Sequence, residues 1–204
     1  STLSPSSAAS DVYKRQYPHQ ANDMVVAGAA LVSQLQTIVA RNVDPIQSGV
    51  VTLGHFTAGT IGNVIAGEAQ IDGTIRALTQ EMNMHIQRRV RTITEGIALA
   101  YDCNIDLKLN QGGYYPVENN DAITADFIKY MQDDDDVNFI ETEPAMTGED
   151  FGYLIHQIPG TMFWLGVDSP YSLHSENMVP HTAAIMSGVN AMTSFLTHRN
   201  ALHK

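Results

Sequence analysis

The spacing of apolar residues changes twice along the first half of this sequence, and this pattern constrains the fold most. Residues 21–41 place apolar side chains three and four positions apart, which is the spacing of one face of an α-helix. Residues 69–78 alternate instead, with Ile71 and Ile75 on one side and polar side chains on the other, which predicts a strand with one wet face. Residues 79–102 return to the helical spacing.

Two further strands complete this first half. Residues 50–59 are rich in β-branched side chains, and residues 103–112 alternate again, so both segments are predicted to be strands. A glycine-punctuated loop, residues 59–69, separates the first two strands. The predicted order is therefore helix, strand, strand, helix, strand, with Thr79 as the N-cap of the second helix.

The second half has a less regular pattern. Its segments alternate between helix and strand, which indicates α/β layering. The predicted helices are 123–132, 148–158 and 181–204, the predicted strands are 137–146 and a buried 159–168, and DDDD at 133–136 is a solvated turn or, alternatively, a weak cation site.

Composition excludes several classes of partner. The formal net charge is −11 and the pI is about 4.9, so the chain lacks the basic character that a nucleic-acid duplex or an anionic membrane attracts. No run reaches about 18 consecutive apolar residues, so no membrane span is expected. The single cysteine, Cys103, excludes an intramolecular disulfide and fits a packed side chain in a reducing cytoplasm.

His174 and Glu176 lie in a polar loop, SLHSENMVP, that follows a predicted strand. Loops at the ends of α/β strands are where sites are built, and a neutral imidazole is a good zinc ligand that Glu176 could orient. A zinc site needs three or four protein ligands, however, and a solvated loop histidine has the same sequence signature.

Five other polar positions have two interpretations each. Glu149 and Asp150 lie in MTGEDF, where Thr147 as N-cap and two acidic residues in the first turn already explain the motif. Asn63 offers a donor and an acceptor, and the planar fork of Arg76 suits a carboxylate, although a turn asparagine and a surface arginine fit equally. His19 precedes the first helix, where a solvated turn histidine is the alternative. No phosphate-binding loop, paired C-x-x-C or H-E-x-x-H motif is present.

Taken in order, five segments resemble one known family, the co-catalytic metal-dependent amidohydrolases and aminoacylases, which also include peptidases. The resemblance covers residues 17–203, and within the family it is closest to a deacetylase of lysine biosynthesis. The segments are YPHQANDMVVAG, GHFTAGTIGNVIAGEAQIDGTIRAL, NQGGYYPVENND, MTGEDFGYLIHQIPGTMFWLG and LHSENMVP.

The resemblance implies an α/β enzyme with an inserted α+β lid of order β-α-β-β-α-β, which usually forms the dimer contact. Residues 17–112 then correspond to this lid or dimerisation domain lacking its first strand, and residues 113–204 to the C-terminal part of the catalytic domain. The first strand of such a sheet lies in its interior. We therefore expect its absence to leave two unpaired edges and a chain that aggregates or is molten.

The resemblance also implies roles for individual residues. His174 corresponds to a metal-ligand histidine, and Asn63 and Arg76 correspond to positions that bind the carboxylate end of the substrate. His19 matches the second histidine of an H-A-A-x-P-H pattern. The first histidine, expected to stabilise the oxyanion across the dimer, is missing because KRQ precedes Tyr17. Where the family usually has an acidic pair, this chain has His181 followed by threonine, which leaves the cap of the last helix open.

The implied reaction is hydrolysis of an N-acyl amino acid. Two divalent metals, zinc or else manganese or cobalt, acidify a bridging water, and a glutamate takes its proton. Glu149 and Asp150 match a motif near that site, whereas the general base and the other ligands lie upstream of the lid. We therefore expect no catalytic residue in this chain. A hippurate-type substrate is an alternative, as is a non-catalytic module that dimerises and binds a carboxylate.

Residues 1–16 match nothing in the family. SSAASDVYKRQ, residues 6–16, corresponds in frame to the translated adapter of transposase-based sequencing libraries. We therefore expect residues 1–16 to be non-native and disordered, with the authentic sequence beginning at Tyr17.

Overall fold

The computed structural model describes residues 2–5, 17–146 and 148–202, and the chain divides into two compact units. The first unit comprises Ser1–Val117 with Ala145–Tyr153, and the second comprises Glu118–Pro144 with Leu154–Lys204. The first division lies close to the predicted boundary between residues 112 and 113. The assignment of the two regions to a lid and a catalytic domain stays a prediction.

The first unit is built on a four-stranded antiparallel sheet. Its strands are β1 (Thr2–Pro5), β2 (Gly49–Ala58), β3 (Ala69–Ala77) and β4 (Cys103–Asp106), in the order β2-β3-β1-β4 across the sheet. β2 and β3 pair along their whole lengths, with one register shift between Leu53 and His55. Buried and exposed residues alternate at both ends of β3, which confirms the predicted wet face.

Two helices pack on this sheet, α1 (Met24–Asn42) and α2 (Gln80–Ala100). The Asp23 carboxylate caps α1 by accepting from the Val25 amide, and Thr79, as predicted, caps α2 by accepting from the Met82 amide at 3.2 Å. The four largest side chains that are fully buried lie on these helices, at Met24, Leu31, Ile38 and Ile86. Cys103 joins the same core, which confirms its predicted packing role.

The position of β1 corrects one expectation from the sequence. Residues 1–16 were predicted to be disordered and the sheet to lack its first strand, but Thr2–Pro5 forms a strand between β3 and β4. Unpaired backbone groups inside a sheet are costly, so any extended segment that can reach them is stabilised there. The adapter-like segment, residues 6–16, lies outside the described residues, and its non-native origin stays a prediction.

The apolar composition of α1 has a structural explanation. By length and composition alone α1 could cross a membrane, and it is the one described helix that passes this test. Its residues at three- and four-position spacing, including Ala27, Leu31 and Leu35, are buried in the core of the first unit. The core helix of a globular unit meets the same criterion, so the finding is weak evidence for a membrane span.

An aromatic cluster holds the second unit together between α3 (Asp121–Gln132) and α5 (Ala183–Leu202). Phe127 stacks on Phe163 with ring centres 4.8 Å apart and meets Phe195 edge-on at 5.0 Å. Asp126 on α3 accepts a 2.9 Å hydrogen bond from Arg199 on α5, which ties the two helices together. The remaining helix, α4 (Asp150–Gln157), begins in the first unit and ends in the second.

The two strands predicted for the second half are wrong. Residues 137–146 and 159–168 join no β-ladder among the described residues, and Trp164 is 49% exposed rather than buried. A strand needs a neighbouring backbone to bond to, and an apolar run cannot show whether one exists. Asn119 replaces that neighbour in part: its side-chain amide donates to the Met162 carbonyl at 2.9 Å and accepts from the Met162 N–H at 2.8 Å.

Candidate ligand-binding site

Arg76 lies on the wet face of β3, beside the loop that leads into α4. Its guanidinium donates a 2.9 Å hydrogen bond to the Ile75 carbonyl and is otherwise exposed. A β-carbon on Gly148 would lie 3.6 Å from Arg76 Nε and 3.6 Å from the Tyr114 ring. The Arg76 guanidinium therefore lies beside Gly148, a residue without a side chain. A small anion could reach this guanidinium from the solvent.

A close backbone contact fixes the start of α4 in the first unit. Tyr115 and Glu149 form an antiparallel bridge, and the Tyr115 and Tyr153 rings meet edge-on with centres 5.5 Å apart. A β-carbon on Gly152 would come within 2.2 Å of the Tyr115 carbonyl oxygen, so this position accepts only glycine without a backbone shift. This backbone contact therefore fixes the positions of Glu149 and Asp150 at the start of α4. Thr147, the predicted cap, lies outside the described residues.

The structure places the other predicted substrate residues of the first unit apart from this contact. Asn63 is exposed in the turn closed by the Val64 amide and the Ile61 carbonyl. His19 is exposed in the short 3-10 helix Pro18–Gln20, where its ring meets Tyr17 edge-on. Within the described ranges, no hydrogen bond joins either residue to Arg76. Their role in binding a substrate stays a prediction.

His174 and Glu176 are both exposed in a loop of tight turns in the second unit. The Ser172 carbonyl accepts from Ser175, and the Ser175 carbonyl from Met178, so His174 lies inside the first turn. His174 has a positive φ of 67°, which is uncommon for a residue with a side chain. Among the residues that the structure describes, no three His, Cys, Asp or Glu side chains come together as a metal site would require.

A second polar cluster on the wet face was missed by the sequence analysis. Asp72 Oδ2 lies 3.1 Å from His55 Nδ1 on the paired strand and accepts a 2.9 Å hydrogen bond from Gln70. The bond from His55, followed by that from Gln70, holds the pKa of Asp72 below its ordinary value of 3.8. The register shift after Leu53 brings His55 opposite Asp72, and alternation alone does not reveal such a shift.

His181 is the cap of the last helix, α5, which the sequence analysis left open. Its Nδ1 accepts from the Ala183 amide at 3.3 Å, and its carbonyl accepts from the Ala184 amide at 3.0 Å. An imidazole therefore occupies the capping role that an acidic residue was expected to have. The bond requires a lone pair on Nδ1, so it exists only in the neutral ring that carries its proton on Nε2.

A cavity of about 370 Å³ opens where α1 ends and β2 begins. Its lining is mainly apolar, with Asp44, Gln47 and Ser48 as the polar members. None of the predicted site residues lines it. The cavity and the candidate site at Arg76 are therefore separate features of the first unit.

The fold and these motifs agree with a known class of hydrolase. The chain belongs to the Peptidase family M20/M25/M40, whose family model matches residues 11–198. The family predicted from the sequence motifs is thereby confirmed, as is the α/β fold class.

Curated relatives indicate a narrower group within this family. The chain is 72% identical over 183 residues to the N-acetyldiaminopimelate deacetylase of Ligilactobacillus salivarius, a match that covers 90% of this chain and 48% of the relative. It is 56% identical over 183 residues to the enzyme of the same name from Lacticaseibacillus casei, covering 89% and 48%. The chain therefore spans about half the length of the curated relatives it matches.

Solved structures share the fold over nearly all of the chain. A protein of methicillin-resistant Staphylococcus aureus, described as a candidate aminohydrolase, matches with a TM-score of 0.77 and 26% identity, over 94% of this chain and 49% of that one. A dinuclear metal-binding peptidase of Bacillus subtilis matches with a TM-score of 0.68 and 20% identity, over 95% and 47%.

Proposed function

We propose that the whole protein to which this sequence belongs hydrolyses N-acetyl-LL-2,6-diaminopimelate to LL-2,6-diaminopimelate and acetate, a step of lysine biosynthesis. The observation that carries the proposal is the 72% identity over 183 residues to a relative named for this activity. Two segments, QANDMVVAGAALV and FWLGVDSPYSLHSEN, resemble the same branch of the family.

Arg76 is the proposed anchor for a carboxylate of this substrate. Its side chain is exposed on the wet face of β3, beside the bare backbone of Gly148. A planar guanidinium binds a carboxylate through two parallel hydrogen bonds, which suits a substrate that carries carboxylates. Asn63 and His19 are proposed to bind the substrate as well, once the whole protein completes the site.

The described residues by themselves do not fit a metal centre. His174 can donate one imidazole, and zinc, manganese and cobalt all accept this ligand, but no second or third ligand lies with it among the described residues. We propose that the whole protein uses a pair of divalent metal ions, zinc or else manganese or cobalt, with His174 as one ligand. Glu176, Glu149 and Asp150 are proposed to support the site from outside the ligand set.

The proposed assembly is a cytoplasmic homodimer formed through residues 17–112, with no nucleic-acid or membrane partner. β2 supports the dimer because it is a ten-residue strand at one edge of the sheet. Its backbone could pair with a second copy. The net charge of −11 supports the absence of anionic partners.

A chimaera tests the proposed substrate. In it, the matched 48% of the Ligilactobacillus salivarius deacetylase is replaced by the corresponding residues of this chain. We expect it to release acetate from N-acetyl-LL-diaminopimelate faster than benzoate from hippurate, measured as kcat/KM for each. A folded chimaera that prefers hippurate would contradict the proposed substrate. A His174→Ala chimaera is the control, and we expect it to lose metal and activity together.

A second candidate applies to the 204-residue chain by itself. The absence of a three-residue ligand cluster among the described residues, together with the exposed Arg76, favours a module that binds a carboxylate without hydrolysing it. Titration of the chain with N-acetyl-LL-diaminopimelate, followed by NMR, should then shift signals near Arg76 while no acetate forms. Unchanged spectra at millimolar ligand would exclude this binding role.

A further inference from the structure

The wet face of β3 carries one negative and one positive side chain. Asp72 and Arg76 are four positions apart, so both lie on that face, with their α-carbons about 13 Å apart. Thr74 lies between them, and Thr52 lies opposite Thr74 on β2. Both threonines are exposed and short. A small molecule with charged groups at its two ends could therefore lie along the strand and reach both charges.

Two neighbours orient the Asp72 carboxylate. His55 Nδ1 lies 3.1 Å from Asp72 Oδ2, and Gln70 donates to the same oxygen at 2.9 Å. The bond from His55, followed by that from Gln70, holds the pKa of Asp72 below its ordinary value, so the carboxylate is charged at neutral pH. No lysine or arginine within the described ranges forms an ion pair with it. This oriented charge suits a cationic ligand.

Asp72 is the one carboxylate in β2 and β3, two strands that are described in full. Asp106 at the end of β4 is also exposed, but its Oδ2 lies 3.2 Å from Lys108 Nζ, which already balances its charge. Among the strand residues, Asp72 is therefore the carboxylate that is placed to bind an ammonium group near Arg76.

The substrate proposed above has a free ammonium group that no assigned residue binds. Arg76 is proposed to take a carboxylate, and Asn63 and His19 carry no negative charge. An ammonium is bound most strongly by a charged acceptor such as a carboxylate. Hippurate, the alternative substrate, has no ammonium group. The residue that binds this group therefore also distinguishes the two classes of substrate.

We propose that Asp72 binds the free ammonium group of N-acetyl-LL-diaminopimelate while Arg76 binds a carboxylate of the same molecule. His55 and Gln70 are positioning residues in this arrangement, because they orient the Asp72 carboxylate through Oδ2. The inference rests on the function proposed above and makes Asp72 its specificity-determining residue. The ammonium lies at the end of the molecule away from the scissile amide, so Asp72 acts in binding and takes no part in hydrolysis.

Two substrates that differ only at this group test the proposal: N-acetyl-LL-diaminopimelate, and N-acetyl-L-2-aminopimelate, in which a hydrogen replaces the ammonium. In the chimaera supplied with zinc, kcat/KM should be about tenfold higher for the first, because a hydrogen bond between charged groups is strong enough to give this discrimination. Asp72→Asn keeps the size of the side chain and should abolish the preference, mainly by raising KM for N-acetyl-LL-diaminopimelate. The constants for the other substrate should stay unchanged.

Asp106→Asn is the matched control, because Asp106 is exposed on the same sheet and paired with Lys108. This variant should keep the preference in full. His55→Ala should weaken the preference by several-fold without changing the constants for N-acetyl-L-2-aminopimelate, a pattern that a loss of folding could not produce. An Asp72→Asn chimaera that keeps the preference, or an Asp106→Asn chimaera that loses it equally, would overturn the proposal.

Calorimetric binding to the chimaera without metal separates this inference from the proposed reaction. With a chelator present, N-acetyl-LL-diaminopimelate should bind more tightly than N-acetyl-L-2-aminopimelate, and Asp72→Asn should remove the difference. If the chimaera with metal hydrolyses neither compound but this difference in binding is found, the proposed reaction is wrong and the inference stands. If it hydrolyses both with equal kcat/KM, the reaction stands and the inference is overturned. Hydrolysis of neither, with equal binding of both or binding of neither, overturns the two together.

Discussion

At the scale of single residues, local chemistry accounts for most of what the described side chains do. Thr79 caps α2 because its hydroxyl accepts from the amide three residues later, which has no partner within the helix, and the sequence alone predicts this. His181 caps α5 with an imidazole, which residue preferences do not predict. The pair of His55 and Asp72 depends on a register shift, so no local rule could find it.

The role proposed for Arg76 predicts a specific kinetic change. In the chimaera, Arg76→Lys should raise KM for N-acetyl-LL-diaminopimelate by about tenfold with little change in kcat, because lysine cannot form the two parallel bonds. Arg41→Lys is the matched control: Arg41 is also exposed, donates to a neighbouring carbonyl and lies at the end of α1, so its replacement should change neither constant. A fall in kcat at unchanged KM would contradict the anchoring role.

Cys103 makes the stability of the first unit depend on pH. Burial, followed by the negative charge of Asp102, raises the pKa of the Cys103 thiol above its ordinary value of 9.0. Once the pH passes about 9.0, the unfolded chain loses this proton more readily than the folded chain. The stability that the neutral thiol contributes is therefore present below pH 9.0 and declines as the pH rises through the raised pKa of the folded state.

Urea unfolding between pH 8 and pH 10.5 measures this contribution. The midpoint of the unmodified chain should fall across that range, and it should fall less in Cys103→Ala, which has no thiol to ionise. Equal slopes for the two chains would show that Cys103 is not responsible.

At the scale of elements, the sequence pattern predicts the helices, whose period and caps lie within one segment. It fails for strands whose pairing partner lies outside the segment. The helices were found because the 3.6-residue period and the caps lie within each segment. The strands predicted at 137–146 and 159–168 failed because pairing requires a neighbour that the segment itself does not contain. The same dependence explains β4, predicted over 103–112, whose ladder ends at Asp106 opposite Thr2, the first residue of β1.

Gly152 gives a prediction at this scale. Gly152→Ala would bring a β-carbon within 2.2 Å of the Tyr115 carbonyl oxygen and 2.8 Å of its carbon, so α4 must shift away from residues 115 and 116. We expect a loss of about 1–3 kcal/mol in the free energy of unfolding, with weaker near-ultraviolet circular dichroism from the Tyr115–Tyr153 pair.

The matched control is Gly96→Ala, because Gly96 is an exposed interior position of α2 and nothing lies within 4 Å of an added β-carbon. That change should stabilise the chain by about 0.5–1 kcal/mol, since alanine forms helices better than glycine. A Gly152→Ala chain as stable as the unmodified one would show that the close contact does not hold α4.

At the scale of the whole molecule, the sequence predicted the family and the layered class but not how the sheet is completed. Motif order gave the family, while the insertion of β1 depends on residues that resemble nothing in it. The site could be predicted only as separate parts: Arg76 and the α4 loop meet in the first unit, while His174 belongs to the second. No residue pattern within this chain shows what would complete its ligand set.

The exposed apolar surface predicts poor behaviour of the chain alone. Five apolar residues of α5, at three- and four-position spacing or adjacent, are about half exposed or more: Ile185, Met186, Val189, Met192 and Leu196. Such a stripe promotes association. We therefore expect the 204-residue chain to express poorly or to unfold without a sharp transition. A cooperative thermal transition of a soluble monomer, measured by calorimetry, would contradict this expectation.

Acetate release from N-acetyl-LL-diaminopimelate tests the central claim most directly. The measurement compares the unmodified 204-residue chain with the chimaera, each supplied with zinc, manganese or cobalt. The proposed function predicts release by the chimaera and none by the chain above the rate with metal alone, because no described residue cluster provides a metal site. Release by the 204-residue chain at an enzymatic rate would contradict the account, since the chain would then contain both the ligands and the general base.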